Sequence, residues 1–485
     1  MASSTKDVAV DDGVLKVLGE WRVSPPPGSV PTTELRLSYF DLALLGIQVK
    51  YIVFFDFPGS TQDFRDVHFP RLRRSLSLAL SLFYPLAGRA VPSQGSPNYP
   101  GGDHLILYSD GDFVSLTLAE SRADFASLVG NQAKEAKAFH PLVPPLPHVI
   151  TSSVHSTEAE KGRGTPLIAF RVTVFPGSGV SIGFTFNHVV TDGIGCAHFV
   201  KSWAAISNAG GGDVSAVKDL PVVDRAVLGD LEPLKRALME NEQRLVASLP
   251  ESEEEQNQKQ QLPGPHSMVV RATFVLKRAH METLRSKMGP GISSFSVICA
   301  FVWACLAKSR PVLSCGPRDQ TLYFWLPANY RRRLRPPVPG TYFGNISPVS
   351  AVVEASRDEL TREAGVAYAA QLIQAAIRRV DEGELEGLPS VGRRLMEVIG
   401  SKPRDRRLSV AGTPFFRAYD TDFGWGNPRK IEFSSMEETD SVSLSDSRDE
   451  AGGVEIGLGG SEEEVTRFTS FFEEGLKGLC NVSKL

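Results

Sequence analysis

VSIGFTFNHVVTDGIG, residues 180–195, is the stretch on which the reading of this chain turns. VSIGFTF alternates as a β-strand does. His188 follows it, with Asp192 four residues on. Gly193 and Gly195 then open GIGCAHFVKSWAAIS (193–207), which has helical spacing. A side chain in that turn stands at a strand's end facing a cleft, and the glycines keep bulk away from it. Imidazole has an unperturbed pKa of about 6.5, so it takes up a proton at neutral pH and returns it, as a general base must. If the turn is helical, Asp192 lies near the same face. It then either holds the ring's tautomer or anchors the turn through an arginine. A His followed by an Asp is common by chance and most such pairs are structural, so the rest of the chain has to decide.

Upstream, PLIAFRVTVF (166–175), the turn PGSG and VSIGFTF read as a β-hairpin. Gly177, Gly179 and Gly183 lack the spacing of a dinucleotide loop, and no helix opens there. KYIVFFDF (50–57) is strand-like, residues 67–83 have helical spacing, and HLILYS with FVSLTLAE reads as a pair of strands. Downstream, AGGGD (209–213) breaks the chain. A charged helix-like segment (229–249) follows, then ESEEEQNQKQQ (251–261), which is too polar to pack. A second β/α alternation starts at VVRATFVLK (269–277). It runs through a buried helix near VICAFVWACLA (297–307), the strand TLYFWLPA (321–328), helices over 359–381 and 387–400, strands near 410 and 430, and a closing helix over 462–479. The expected architecture is mixed α/β. Two comparable domains, 1–207 and 266–485, are joined by a crossover, 208–265, with a ligand cleft between them.

The chain has 485 residues, a formal net charge of −4, and 22% charged residues. That balance advertises no face for nucleic acid. Basic residues cluster locally at RLRR (71–74), RRRLR (331–335) and KPRDRR (402–407); such clusters are more often solvated faces or salt-bridge networks than binding sites, and a minority hold phosphates. Five cysteines without a CxxC pair argue against a disulfide framework or structural zinc, and for a reducing compartment. The N-terminus shows no apolar signal region, and the longest apolar run is too short to span a bilayer. There is no G-x-S-x-G elbow and no HExxH helix, and the nine histidines are scattered, so neither a serine nucleophile nor a metal site is expected.

A second signal is YDTDFGWGNPRKIEF (419–433). A kinase with this DFG would also carry a Gly-rich loop, a strand lysine and an HRD loop upstream, and those are missing. Asp422-Phe423-Gly424-Trp425-Gly426 reads instead as a tight, aromatic-stabilised turn after a strand, with an Asp suited to pairing with an arginine. HVVTD together with DFGWG resembles the plant BAHD acyltransferases, which use acyl-coenzyme A donors. The resemblance extends over nearly the whole chain, through LSYFD (37–41), YPLAGR (84–89), PVVDR (221–225), SSFSVICAFVWACL (293–306) and VEIGL (454–458). TYFGN (341–345) is similar to the subgroup that acylates anthocyanins, flavonoids and other phenolic glycosides.

That resemblance implies two chloramphenicol-acetyltransferase-like domains around a channel, with His188 midway along it as general base. Asp192 orients the base or serves structure. Asp422, with Gly193, Phe423, Gly424, Trp425 and Gly426, belongs to structural motifs. Acyl-CoA is a co-substrate rather than a resident cofactor, and a small phenolic glycoside accepts a malonyl or hydroxycinnamoyl group, TYFGN leaning to malonyl. Lys277, Ser293, Ser294 and Arg331 are the candidates for the coenzyme A side. Three departures stand out: Asn187 where many relatives have a second His, Ile346 where Cys often follows YFGN, and Asn329 where Asp is usual. Two other readings use the same residues, an amine acceptor in place of a hydroxyl, and a non-catalytic ligand-binding protein. A cytosolic monomer without membrane or nucleic-acid partners is expected. The C-terminal Ser483, Lys484 and Leu485 form a peroxisomal address that makes that organelle the alternative.

Overall fold

A computed structural model of the protein describes residues 14–93, 104–149, 164–238, 240, 269–310, 320–383, 385–434 and 441–480. Its first half is built on a six-stranded sheet. The spatial order is β1 (Leu15–Val23), β6 (Val114–Ser121), β9 (Ile168–Phe175), β10 (Gly179–Asn187), β3 (Gln48–Asp56) and β15 (Lys430–Phe433). β10 is central, antiparallel to both β9 and β3. All nine of its residues are buried. The helices α1 (Phe69–Leu82) and α2 (Gly193–Asn208) pack against each other beside this sheet. Both faces of β10 are therefore covered, and the alternation in its sequence does not mark a wet face.

The second half is built on a seven-stranded sheet. Its order is β13 (Val349–Ser356), β12 (Thr321–Pro327), β14 (Arg407–Ala411), β16 (Ser441–Asp446), β17 (Val454–Ser461), β11 (Val269–Leu276) and β7 (Lys134–Glu135). α3 (Arg278–Met288), α4 (Ser294–Ser309), α5 (Gly365–Glu382), α6 (Leu388–Ser401) and α7 (Glu462–Cys480) accompany it. α4 is buried without a break from Ser296 to Ala307, as an all-apolar helix must be. Each half has its own apolar core.

Two exchanges of chain tie the halves together. β15 comes from the second half and completes the first sheet by pairing with β3. β7 comes from the first half and caps the second by pairing with β11. Neither strand was placed by sequence patterning in the sheet it joins.

Three sequence expectations are corrected. HLILYS and FVSLTLAE are not partners: β5 (His104–Tyr108) joins a small sheet with β2 (Thr33–Arg36), β4 (Arg89–Pro92) and β8 (Thr165–Pro166), while β6 enters the six-stranded sheet. The helix expected over 359–381 is interrupted between Arg357–Thr361 and α5. DFGWG follows two single 3₁₀ turns rather than a strand, and it leads into β15. Residues 241–249, the acidic stretch 251–261 and the tail 481–485 lie outside the described residues.

Candidate active site

β10 ends where its register with β3 ends, at the pair Asn187 and Gln48. Asn187 is buried there as a tie, its Nδ2 donating to the carbonyls of Pro147 (3.1 Å) and Pro166 (2.9 Å). His188 is the next residue. Its backbone N–H still bonds to Ile47 O (2.8 Å), and the chain then turns through a single 3₁₀ turn into α2. The half-buried imidazole faces a channel of about 3020 Å³ lined by both halves.

The ring's tautomer follows from its neighbour. His188 Nδ1 lies 3.1 Å from Asn345 Oδ1. Asn345 Nδ2 donates to Asp41 Oδ1 (3.0 Å), His188 O (2.8 Å) and Val189 O (3.2 Å). Those three partners are acceptors only, so the amide cannot be turned round and Oδ1 must face the imidazole. Nδ1 therefore carries the proton, leaving Nε2 with its lone pair and with no hydrogen-bond partner among the described residues. Burial pushes the imidazole's pKa below its ordinary value, opposed by the nearby Asp192 and Asp41 carboxylates and the Asn345 hydrogen bond. At neutral pH the ring is the uncharged form that can accept a proton.

Asp192 does not touch the ring. Its Oδ1 caps α2 by accepting from the amides of Ile194 and Gly195, both at 3.1 Å. Arg331 meets it in a two-pronged pair, Nη1 to Oδ2 at 2.8 Å and Nη2 to Oδ1 at 2.9 Å. Ser347 Oγ adds a third donor at 3.1 Å. Of the two roles read from sequence, the structure shows the anchor. Arg331, read from the resemblance as a candidate for the coenzyme A side, lines the channel but is 3% exposed and directs both terminal nitrogens to Asp192. Asn329, the departure next to it, accepts from Arg331 N (3.0 Å) and so supports the same anchor.

A second buried pair stands behind Asn345. Asp41, fully buried, accepts from Asn345 N (3.1 Å) and from Arg225 Nε (3.2 Å). Arg225 also donates to Phe343 O (2.7 Å) and Val190 O (2.9 Å). LSYFD, HVVTD, PVVDR and TYFGN thus meet in one polar cluster under the base. Sequence reasoning quoted all four segments yet gave no role to Asp41, Arg225 or Asn345, and Ser347 carried no signal at all.

Gly193 and Gly195 are needed for close approach. A Cβ on Gly195 would stand 2.0 Å from Thr191 Oγ1, and one on Gly193 would stand 2.6 Å from the Phe416 ring. The three described thiols offer no nucleophile: burial pushes Cys196 and Cys305 up to about 12, and Cys299 higher still.

Unlike Arg331, the expected donor-side residues Ser293, Ser294 and Lys277 are not on the channel wall. Ser293 caps α4, its Oγ accepting from Ser296 N at 3.1 Å. Ser294 and Lys277 are exposed, and of this neighbourhood Phe295 alone lines the channel. The clusters RRRLR and KPRDRR, read as solvated faces or salt-bridge networks, contribute Arg331, Arg332, Arg333, Arg335, Lys402, Arg404 and Arg407 to its walls. DFGWG stands apart from the channel. Asp422 Oδ1 accepts from the amides of Gly424 (2.7 Å), Trp425 (3.2 Å) and Gly426 (2.9 Å), closing a turn whose glycines sit at φ 99° and 104°. Its Oδ2 pairs with Asn208 (3.1 Å), not with an arginine; Arg71 of RLRR bonds the Phe423 carbonyl instead. Phe423 is wholly buried against Trp203, with ring centroids 4.9 Å apart. Among the described residues there is no group of side chains suited to a metal ion and no helix long and apolar enough to cross a membrane.

A family model described as the Transferase family matches residues 21–475. The chain belongs to the BAHD acyltransferase family. It is 33% identical to a malonyl-coenzyme A:anthocyanin 3-O-glucoside-6''-O-malonyltransferase of Dahlia pinnata, over 96% of this chain and 98% of that protein. It is 31% identical to a coumaroyl-CoA:anthocyanidin 3-O-glucoside-6''-O-coumaroyltransferase of Arabidopsis thaliana, over 95% of this chain and 97% of that protein. Its fold matches the crystal structure of vinorine synthase with a TM-score of 0.63 at 20% identity, over 93% of this chain and 96% of that one. The BAHD fold of two acetyltransferase-like domains is thus the architecture seen here, including the channel between them.

Proposed function

We propose that this BAHD protein is an acyl-CoA-dependent O-acyltransferase that moves a malonyl or hydroxycinnamoyl group to a hydroxyl of a phenolic, flavonoid or anthocyanin glycoside. One observation carries the mechanism: Asn345, locked by Asp41 and two carbonyls, holds His188 as the Nδ1–H tautomer with Nε2 free in the channel. Nε2 takes the proton of the acceptor hydroxyl as its oxygen attacks the thioester carbonyl. The tetrahedral adduct collapses, the carbon–sulfur bond breaks, and the departing coenzyme A thiolate takes the proton back from Nε2. A thiolate leaves readily, so no acyl-enzyme is needed, in keeping with thiols held protonated by burial. Holding donor and acceptor in one channel supplies much of the remaining acceleration. Asp192 and Arg331 keep the turn in place, and DFGWG secures the strand that joins the halves.

The protein works in this reading as a cytosolic monomer, with the peroxisome as the alternative site. The test is a donor-by-acceptor panel with mass-spectrometric product detection, in which malonyl-, coumaroyl- and acetyl-CoA meet flavonoid glucosides and agmatine. His188→Ala should hold its melting temperature and lose transfer by about 10²–10⁴-fold. Transfer that persists in that variant, or acylation of agmatine alone, would overturn the reading.

A further inference from the structure

Asp41 is wholly buried, and holding Asn345 in place does not by itself require that it be charged. It ends LSYFD, in a one-turn helix (Tyr39–Leu42) that Ser38 caps. Its Oδ2 accepts from Ser38 N (3.0 Å), Ser38 Oγ (2.8 Å) and Arg225 Nε (3.2 Å). Its Oδ1 accepts from Asn345 N (3.1 Å) and Asn345 Nδ2 (3.0 Å), with Arg225 Nη2 at 3.5 Å. Every partner donates, so both oxygens act as those of a carboxylate do. One of them grips Asn345 twice, at its backbone and at its side chain, and the amide has no freedom to swing. The other end of that amide, Oδ1, is 3.1 Å from His188 Nδ1. Carboxylate, amide and imidazole therefore form one hydrogen-bonded line from a buried charge to the base.

The other charged and titratable groups around the ring have their own partners or carry no charge. Asp192 is paired with Arg331 and does not touch the imidazole. Tyr342 has the Arg225 and Arg331 guanidinium groups 5.7 and 5.8 Å from its ring centroid, and burial pushes its hydroxyl up, so it stays protonated. Burial lowers the imidazole's hold on a proton, and the Asp192 carboxylate, the Asn345 bond and the Asp41 carboxylate oppose it. When Nε2 takes the acceptor's proton, the ring becomes a cation and its Nδ1–H a stronger donor. An amide oxygen polarised from behind by a full charge holds that cation better than an amide alone, and with water excluded the effect is poorly screened. In hydrolase triads a buried carboxylate orients the imidazole and stabilises the imidazolium directly. We infer that Asp41 is a positioning residue of the acyl transfer: acting through Asn345, its charge stabilises the protonated His188 that forms as the hydroxyl attacks. The inference rests on the acyltransferase reading above and adds a charge behind the amide that selects the tautomer.

NMR titration of the full chain labelled at histidine reads His188 directly, with His188→Gln to assign its signals, and turnover is measured beside it. Asp41→Asn keeps an acceptor for both Asn345 donors and removes the charge. It should lower the His188 pKa and the acid limb of kcat/KM together by about one pH unit, and kcat about tenfold, with KM for donor and acceptor little changed. Asp41→Asn with Arg225→Met also removes the stranded guanidinium charge and should show the same shift in a more stable protein. A pair that serves structure alone would cost stability and leave the folded-state titration where it was. The proposal is overturned if either variant, once folded, titrates His188 as the wild type does or at higher pH. It is equally overturned if neither variant folds, which would make the pair a structural tie. Absence of transfer from every donor in the wild type, with the titration shift intact, would instead strike the acyltransferase reading and leave the coupling of Asp41 to His188 standing.

Discussion

Replacing Asp192 by alanine should injure the fold first and the chemistry through it. The carboxylate and the Arg331 guanidinium are each 4% exposed in their side chains and 2.8 Å apart. Removing one partner of such a pair leaves an unpaired buried charge, which costs about 3–5 kcal/mol. The same change removes the cap of α2, worth about 1 kcal/mol. Asp192→Ala should therefore lose about 4–6 kcal/mol by these two contributions. Asp192→Ala with Arg331→Met removes the stranded charge and should recover most of the larger share, leaving about 1–2 kcal/mol for the cap and the Ser347 contact. Urea unfolding followed by circular dichroism measures both, with kcat/KM recorded at a temperature where each variant is folded. If Asp192 serves as an anchor, turnover should return along with stability in the double variant. A single variant with unchanged stability and abolished turnover would refute this reasoning, because it would put the carboxylate to work on the imidazole.

Asn345→Ala removes the acceptor that selects the Nδ1–H tautomer and should lower kcat by roughly ten- to a hundredfold with little change in KM, measured at saturating donor. The wild-type acid limb should fall below the ordinary histidine range near pH 6.5, since burial lowers the His188 pKa and the neutral ring is the active form. The same shift means the unfolded chain binds this proton more tightly, so the group's contribution to stability is present above about pH 6.5 and is lost as pH falls through the lower folded-state pKa. Asp422→Ala strips three amides and Asn208 of their acceptor and should lower the melting temperature along with activity, by about 1–3 kcal/mol in calorimetry; inactivity at an unchanged melting temperature would give Asp422 a chemical role. A fluorescent protein fused ahead of residue 1 should stay diffuse in plant cells, whereas punctate signal that disperses on deleting Leu485 would place the protein in peroxisomes.

Much of the site was legible because it is local. His188 is announced by the strand before it and the glycines after it. The DFGWG turn is announced by two glycines around an Asp that caps its own amides. The pairing of Arg331 with Asp192 was not legible, because a sequence does not show which of the four arginines in RRRLR turns inward. Asn345 stood out in sequence only as the end of the TYFGN subgroup marker, although its amide settles which imidazole nitrogen is free.

The sequence by itself determined most of the elements, the mixed α/β class and the candidate base, because hydrophobic period and turn chemistry are properties of neighbouring residues. It determined that α4 is buried, since an unbroken apolar run has no polar face to show. Tertiary structure alone decided that β15 returns to the first sheet, that Asp41, Arg225 and Asn345 gather beneath His188, and that Arg331 turns to Asp192. Those partners lie more than a hundred residues apart in every case, and an isolated polar side chain carries no period that points to its mate. Which acceptor satisfies a buried donor is settled when the two sheets pack and water is excluded, and that event leaves no local trace in the chain.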